Sequence, residues 1–403
     1  LVRRSLSRAE PVQRPVEEQF WYRATKFVMK RAVPIGLAGV VVLVILGAPF
    51  LGVRPGFPDD RVLPTSASAH QVGDLLRGEF TNNSETAIPV VIPDASGLSD
   101  PQIARYAADL SRVADVPSVS APMGSFVRGN LVGPPTAATG SASGSALLTV
   151  ESTAPPLFSD RSEDQLARLH DVPTPGNTTV EFAGTAQTNR DSVDAITSRL
   201  PAVLGLIAAI MLVLLFLLTG SVVLPLKALV LNVLSLTAAF GAMVWIFQDG
   251  HLGALGTTST GTLVANIPVL LFCIAFGLSM DYEVFLVSRI REFWLASPQR
   301  GAADNDESVA LGVAHTGRVI TAAALIMAIS FAALTAAHVS FMRMFGLGLA
   351  LAVLADATLV RLVLVPAFMH IMGGRWNWWA PKPLAWMHQR VGIREGGPAR
   401  HTG

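Results

Sequence analysis

The chain has 403 residues, 51% of them hydrophobic and only 15% charged, with a formal net charge of +1. So high an apolar share argues against an ordinary soluble domain. The near-neutral total says little about partners, and no nucleic-acid partner is expected. The single cysteine, Cys273, lies inside an apolar run, so no disulfide framework can form within the chain. Leu1 opens a basic polar stretch with neither an initiator Met nor a signal peptide, which reads as a piece of a longer chain.

Residues 1–32 read as a cytoplasmic juxtamembrane segment. Eight basic residues (Arg3, Arg4, Arg8, Arg14, Arg23, Lys26, Lys30, Arg31) stand against Glu10, Glu17 and Glu18, and Phe20-Trp21-Tyr22 supplies an interfacial aromatic patch. Residues 33–53 form the first spanning helix, uncharged and glycine-interrupted from Ile35 onward.

Residues 54–200 contain ten Arg, no Lys and seventeen acids, a net of −7, which places this α+β domain outside the membrane on the far side. A helix is expected over 66–80 and a strand over 86–92, with Pro89 demoting that strand to an edge or a bulge. Ser99-Asp100-Pro101-Gln102 starts a second helix with a capping pattern and an early proline. That helix runs to about Ala114, with Ile103, Tyr106, Ala107, Leu110 and Val113 on one face. Strands follow over 116–120, 146–152 and 178–182, and a helix over 160–170. Residues 129–145, rich in Gly, Pro, Ser and Thr, read as a mobile loop. The order fits a split βαβ, ferredoxin-like porter domain. A further helix, 189–200, leads back into the membrane.

Residues 201–372 hold five more spans, expected over 200–219, 222–247, 264–288, 318–337 and 345–372. Lys227 marks an inner interface, and 289–317 is a cytoplasmic segment. The tail, 373–403, has five basic residues against one acid and carries Trp376, Trp378, Trp379 and Trp386, so it too is expected inside. The fold class is therefore an α-helical membrane protein with six spans in a one-plus-five layout.

The central stretch is 276–289. Asp281 stands eight residues before Arg289, about 12 Å inside the boundary and near the middle of the hydrocarbon layer. A carboxylate there is costly unless it is paired, hydrated or protonated. Tyr282 sets a phenol beside it, and together they form the expected proton relay. The plainer reading makes Asp281 a polar tie between helices.

Three more ionisable groups lie within the spans: Glu283, Asp356 and Arg361. Glu283, two residues on, faces away from Asp281 and is expected near the inner boundary. Arg361 follows Asp356 at i+5, a spacing that does not bring side chains together on an α-helix, so its partner is expected on another helix, Asp281 being one candidate. The pair Asp356 and Arg361 is either a packing lock or part of the relay. Gly277, one turn before Asp281, would let a neighbouring backbone approach. Ser279, Ser330 and Thr335 are able to bond across helices, although such residues usually bond their own backbone.

No His cluster has metal-ligand spacing, and no phosphate loop, haem-attachment motif or serine nucleophile elbow is present. No cofactor is expected, and protons are the coupling ion.

These residues resemble a known family. The one-plus-five layout is similar to half of a resistance-nodulation-division transporter. Gly277-Leu278-Ser279-Met280-Asp281-Tyr282-Glu283-Val284-Phe285-Leu286-Val287-Ser288-Arg289 resembles its mycobacterial membrane protein large (MmpL) branch. So do Gly56-Phe57-Pro58-Asp59-Asp60-Arg61-Val62-Leu63-Pro64, Leu354-Ala355-Asp356-Ala357-Thr358-Leu359-Val360-Arg361 and Trp376-Asn377-Trp378-Trp379. The likeness covers essentially the whole chain, and Glu283 and the tail are similar to a C-terminal half. It implies a proton-motive-force-driven exporter of cell-envelope lipids in the inner membrane. Asp281 and Tyr282 would be one half's proton relay, the other lying in an N-terminal half absent from this sequence. Some members of the family are linked to haem, and nothing in the residues supports or excludes that. A homo-oligomer is left open. The rival readings are an intramembrane aspartyl protease with Asp281 and Asp356 as its dyad, and a non-transporting lipid sensor on the same fold.

Overall fold

The computed structural model describes residues 15–56, 58–80, 86–154 and 159–392. Arg3, Arg4, Arg8, Glu10 and Arg14 of the basic segment, Phe57, and the tail beyond 392 lie outside the described residues. Contacts divide the chain into two units. One takes its described residues from Leu1–Val53, Ala202–Leu255 and Asn266–Gly403, the other from Arg54–Pro201 and Gly256–Ala265.

Helix α1 (Phe20–Lys30) is amphipathic, with Val28 and Met29 buried and Phe20 and Phe27 exposed. It breaks at Arg31, and α2 (Ala32–Gly47) continues as an all-apolar rod. Uniform apolarity is what a helix shows when both its faces meet hydrocarbon or other helices.

The second unit begins with β1 (Pro55–Gly56) and α3 (Ser68–Glu79). Next come β2 (Ile88–Ile92) and α4 (Asp100–Leu110), then β3 (Val119–Ala121), β4 (Gly124–Val127), β5 (Asn130–Gly133), β6 (Gly140–Ala142) and β7 (Ser145–Val150). Helix α5 (Asp160–His170) and β8 (Glu181–Phe182) complete the sheet elements. The main sheet runs β5-β4-β3-β7-β2-β8, with β6 pairing β7, all antiparallel. Alternate residues Ile88, Val90 and Ile92 of β2 point to one side, as the strand period requires. They pack with Leu148 and Val150 of β7, Ile103, Tyr106 and Leu110 of α4, and Leu166 and Leu169 of α5 in one core.

The α4 start forms as the sequence predicts. Ser99 and Gln102 make the capping box, the Ser99 amide donating to Gln102 Oε1 at 2.9 Å. Two expectations fail. Strand β2 is interior, paired by β7 on one side and β8 on the other. Pro89 is tolerated because its carbonyl, which accepts from the Ala183 amide at 2.9 Å, faces β8; its missing N–H faces the same way, and the bonds to β7 are intact. The 129–145 stretch is also built, carrying β5 and β6. Its hydroxyl-rich sequence ties it down: Thr139 Oγ1 donates to the Leu147 carbonyl at 2.5 Å and Thr149 Oγ1 to that of Ala138 at 2.6 Å. Strand β9 (Leu263–Val264) pairs in parallel with β1, which brings 256–265, read from the sequence as loop and span start, into this unit.

The remaining helices are α6 (Thr185–Thr219), α7 (Val223–Met243), α8 (Asn266–Ala296), α9 (Ala302–Ala333), α10 (Ser340–Ala355), α11 (Val365–Asn377) and α12 (Lys382–Val391). Among the described residues six segments are long and apolar enough to cross a membrane: Ala32–Gly52, Thr185–Thr219, Val223–Gln248, Asn266–Ala296, Ala302–Ala336 and Ser340–Asn377. Most of the predicted cytoplasmic segment 289–317 is helix, because α8 and α9 simply run on through it. There Ile290 of α8 is buried against Gly312 of α9, where any Cβ would overlap it. Trp294 and Trp378 stack 5.7 Å apart, and buried Asn377 donates to Asn305 Oδ1 at 3.1 Å and to the Met369 carbonyl at 2.7 Å. These contacts clamp one end of the bundle.

Candidate functional site

Between α10 and α11 the last span is π-helical, Asp356–Leu364. A π turn bonds i to i+5, one residue more than an α turn. Residues five apart therefore come near one face, and Asp356 meets Arg361 on its own helix. Arg361 Nε and Nη2 donate to Asp356 Oδ2 at 2.9 and 2.8 Å. The expectation that i+5 keeps this pair apart holds for an α-helix, and the π turn overturns it.

Arg361 is the largest fully buried side chain among the described residues, 1% exposed. Its guanidinium is shared out fully, as a buried charge must be. Nη1 donates to Glu283 Oε2 at 3.3 Å, and Nη2 donates to the Ser279 carbonyl and to Ser279 Oγ at 3.2 Å. The Tyr282 ring centroid lies 5.5 Å from the guanidinium, within cation–π range. The Tyr282 hydroxyl donates to Met327 Sδ of α9 at 3.2 Å. The five-donor planar fork suits this task as a lysine would not.

Five of the nine residues singled out from the sequence thus come together: Ser279, Tyr282, Glu283, Asp356 and Arg361. Asp281 does not join them. It is exposed on α8, while Glu283, two residues on, is 4% exposed and reaches Arg361. The prediction that the two face opposite ways agrees with this, but Glu283 is the one turned into the packed interior, and Asp281 is not a partner of Arg361. Gly277 is exposed as well, and a Cβ there would meet nothing within 4 Å, so it packs against none of the described residues. Cys273, Gly277 and Asp281 lie at i, i+4 and i+8, a single exposed stripe of α8. Tyr282 lies between the two sets, within reach of the charges of Asp281, Asp356 and Arg361. Among the described residues Ser330 and Thr335 bond their own backbone stretch, donating to the Ile326 and Ala332 carbonyls at 2.9 and 2.6 Å.

Two side chains escaped the sequence reading. Met327 gave no signal, being one apolar residue in an apolar span. Lys227, taken as an interfacial marker, is buried. Its flanking Leu224 and Leu231, at i−3 and i+4, share its face and pack in one core with Leu286, Val287 and Val360. That pattern was the available clue.

Chemically, the cluster is a desolvated ion network that holds its helices in one register and is able to accept or give up a proton through its carboxyls. Asp356 is already taken by Arg361, which leaves it ill suited to share a proton with Asp281 as a protease dyad.

A multi-pass bundle with charges locked in its interior is the class these features define: a helical membrane protein with a buried ion network. Comparison with known sequences agrees. The profile of the MMPL family matches residues 61–394, and the chain belongs to that family. The Streptomyces coelicolor membrane protein SCO6666 is 36% identical over 389 residues, covering 96% of this chain and 50% of that protein. The trehalose monomycolate exporter MmpL3 of Mycobacterium tuberculosis is 30% identical over 387 residues, 94% of this chain and 39% of that one. The heme uptake protein MmpL11 of the same organism is 34% identical over 382 residues, 93% of this chain and 37% of that one. The chain spans half or less of the length of these relatives.

Proposed function

We propose that this chain is the C-terminal half of a proton-motive-force-driven exporter of cell-envelope lipids, a secondary active transporter rather than an enzyme. In this reading both ends and 289–317 face the cytoplasm, and residues 54–200 lie outside. The strand order β3-β7-β2-β8, with α4 and α5 packed on the sheet in one core, is that of a split βαβ, which supports the ferredoxin-like porter assignment. The lipid class follows from the exporter among the relatives; haem is the competing cargo, since another relative is named for its uptake.

The observation that carries the proposal is the exposed Asp281, placed mid-span one residue from a tyrosine that touches the buried Arg361 network. An uncovered carboxylate in hydrocarbon is too costly to persist. A partner surface must cover the Cys273–Gly277–Asp281 stripe, and the N-terminal half of the same transporter is the natural cover, given relatives of which this chain spans half or less. Protonation of Asp281 from outside removes its charge and changes its preference for that interface. Tyr282 relays the change to Arg361, Asp356 and Glu283, whose helices then shift. The driving force is about 2.3 kcal/mol per charge per 100 mV, before any pH gradient.

The test is Asp281→Asn in the complete transporter. Lipid export, followed by labelled-lipid appearance outside the cell, is expected to stop while membrane insertion is normal. Full export by the variant contradicts the proposal.

A further inference from the structure

The buried network is one charge out of balance. With both carboxyls ionised, Asp356 and Glu283 bring two negative charges against one positive charge on Arg361. Asp356 is satisfied at 2.8 and 2.9 Å, but Glu283 is held only through Oε2, at 3.3 Å. Glu283 Oε1 is buried without a hydrogen-bond partner among the described residues. On α7, Lys227 Nζ, both amide atoms of Asn232 and Ser235 Oγ are in the same condition. The charge that acts on Lys227 is Glu283. Both helices contribute to one core, in which Leu224 and Leu231 flank Lys227 on α7 and Leu286 and Val287 follow Glu283 by one turn on α8.

Unpaired buried polar atoms are rare, because each costs about 1–3 kcal/mol. Glu283 and Lys227, on two helices that share one core, are a buried acid and a buried base with unused polar atoms, a setting that suits bridging water. Lys227 is four residues into α7, about 6 Å from its start. Under the proposed topology that start is the cytoplasmic end.

We propose that Glu283 and Lys227 form the inner proton-release segment of the transporter, with Lys227 as the exit group. This rests on the reading of the chain as a proton-driven half-transporter. The Lys227 ammonium first gives its proton to the cytoplasm; a proton held on the Glu283 carboxyl then leaves it, its O–H bond breaking, and passes along hydrogen-bonded water to the Lys227 amine so freed. An N–H bond forms there, leaving carboxylate and restoring the ammonium. The charge left on Glu283 is again met by Arg361. A lysine is able to run this cycle because a buried amine can deprotonate, whereas an arginine stays charged.

The experiment uses the complete transporter in vesicles made with the host's total lipid extract, a pH-reporting dye inside and an imposed proton gradient. Lys227→Met and Lys227→Arg are compared with the wild type and with Asp281→Asn. Both Lys227 variants are expected to lower proton flux at least tenfold, and imidazole on the release side is expected to restore much of the Met variant's rate. The arginine variant keeps the charge, so it tests proton exchange even where the methionine variant folds poorly. Wild-type flux in Lys227→Arg, or a loss in Lys227→Met that imidazole leaves unchanged, overturns the inference. If Asp281→Asn is silent while both Lys227 variants run normally, the exit assignment fails and the transporter reading stands. If Asp281→Asn runs at the wild-type rate, the transporter reading itself fails.

Discussion

Asp356 and Arg361 pair on one helix five residues apart, with Nη2 to Oδ2 at 2.8 Å, because the span is π-helical between them. On an α-helix five residues turn about 140° past a full revolution, and the two side chains would diverge. The extra residue in the turn aims both inward and lets Arg361 also reach Glu283 and Ser279 on α8. One irregular turn thus joins the last span to the span that bears the Asp-Tyr pair.

Arg361→Met tests how much this junction contributes. It leaves Asp356 and Glu283 as buried acids without their cation, which costs roughly 3–5 kcal/mol. A clear fall in the thermal midpoint of the purified protein is expected. Arg361→Lys retains the charge but loses the fork, so an intermediate midpoint is expected. An unchanged midpoint in the methionine variant contradicts a structural role for the cluster.

Two glycines give opposite expectations for the same substitution. At Gly312 a Cβ overlaps Ile290, including its backbone. Gly312→Ala therefore strains the α8–α9 crossing and is expected to cost about 1–3 kcal/mol. At Gly277 the space is open within this chain. Gly277→Ala is expected to be neutral or slightly stabilising here, since alanine is the better helix former by about 1 kcal/mol. In the complete transporter the same change is expected to reduce activity, because the stripe is then covered. Thermal midpoints of both chains, with export measured alongside, decide the matter.

Tyr22 and Tyr106 lie outside the spans and titrate late. Burial, the hydrogen bond to Glu307 and the nearby charges of Glu307 and Glu17 push the Tyr22 phenol up to about 12. Burial pushes that of Tyr106 up to about 12. A raised phenol means that folding favours the neutral form. Its contribution is complete below the ordinary value near 10 and is lost as pH rises through about 12. Absorbance titration of phenolate is expected to show both ionising near 12, with Tyr22→Phe removing one of the two. An ionisation near 10 for both contradicts the contacts described.

Where local chemistry decides the outcome, the sequence was legible. Ser99 and Gln102 announce the α4 cap, and α5 falls over the residues expected of it, 160–170. The six spans follow from apolar length alone. What the sequence hid was orientation. Residues 264–288 are apolar on every side, so no periodicity tells whether Asp281 or Glu283 faces the interior; the position of Arg361 on another helix decides it. A π turn leaves no mark in composition either, since its added residue looks like any other. Lys227 was misplaced for a related reason: a lysine near a helix end usually reaches for the interface, and only its leucine neighbours say otherwise. Pro89 misled because an interior strand tolerates a proline whose missing donor faces the short side of the sheet.

The most direct measurement follows lipid and proton movement together in vesicles bearing the complete transporter, with and without Asp281→Asn. Lipid movement is predicted to depend on the imposed gradient, to stop when an uncoupler collapses it, and to be absent in the variant despite a normal thermal midpoint. Lipid movement that continues without a gradient, or at the wild-type rate in the variant, contradicts the account.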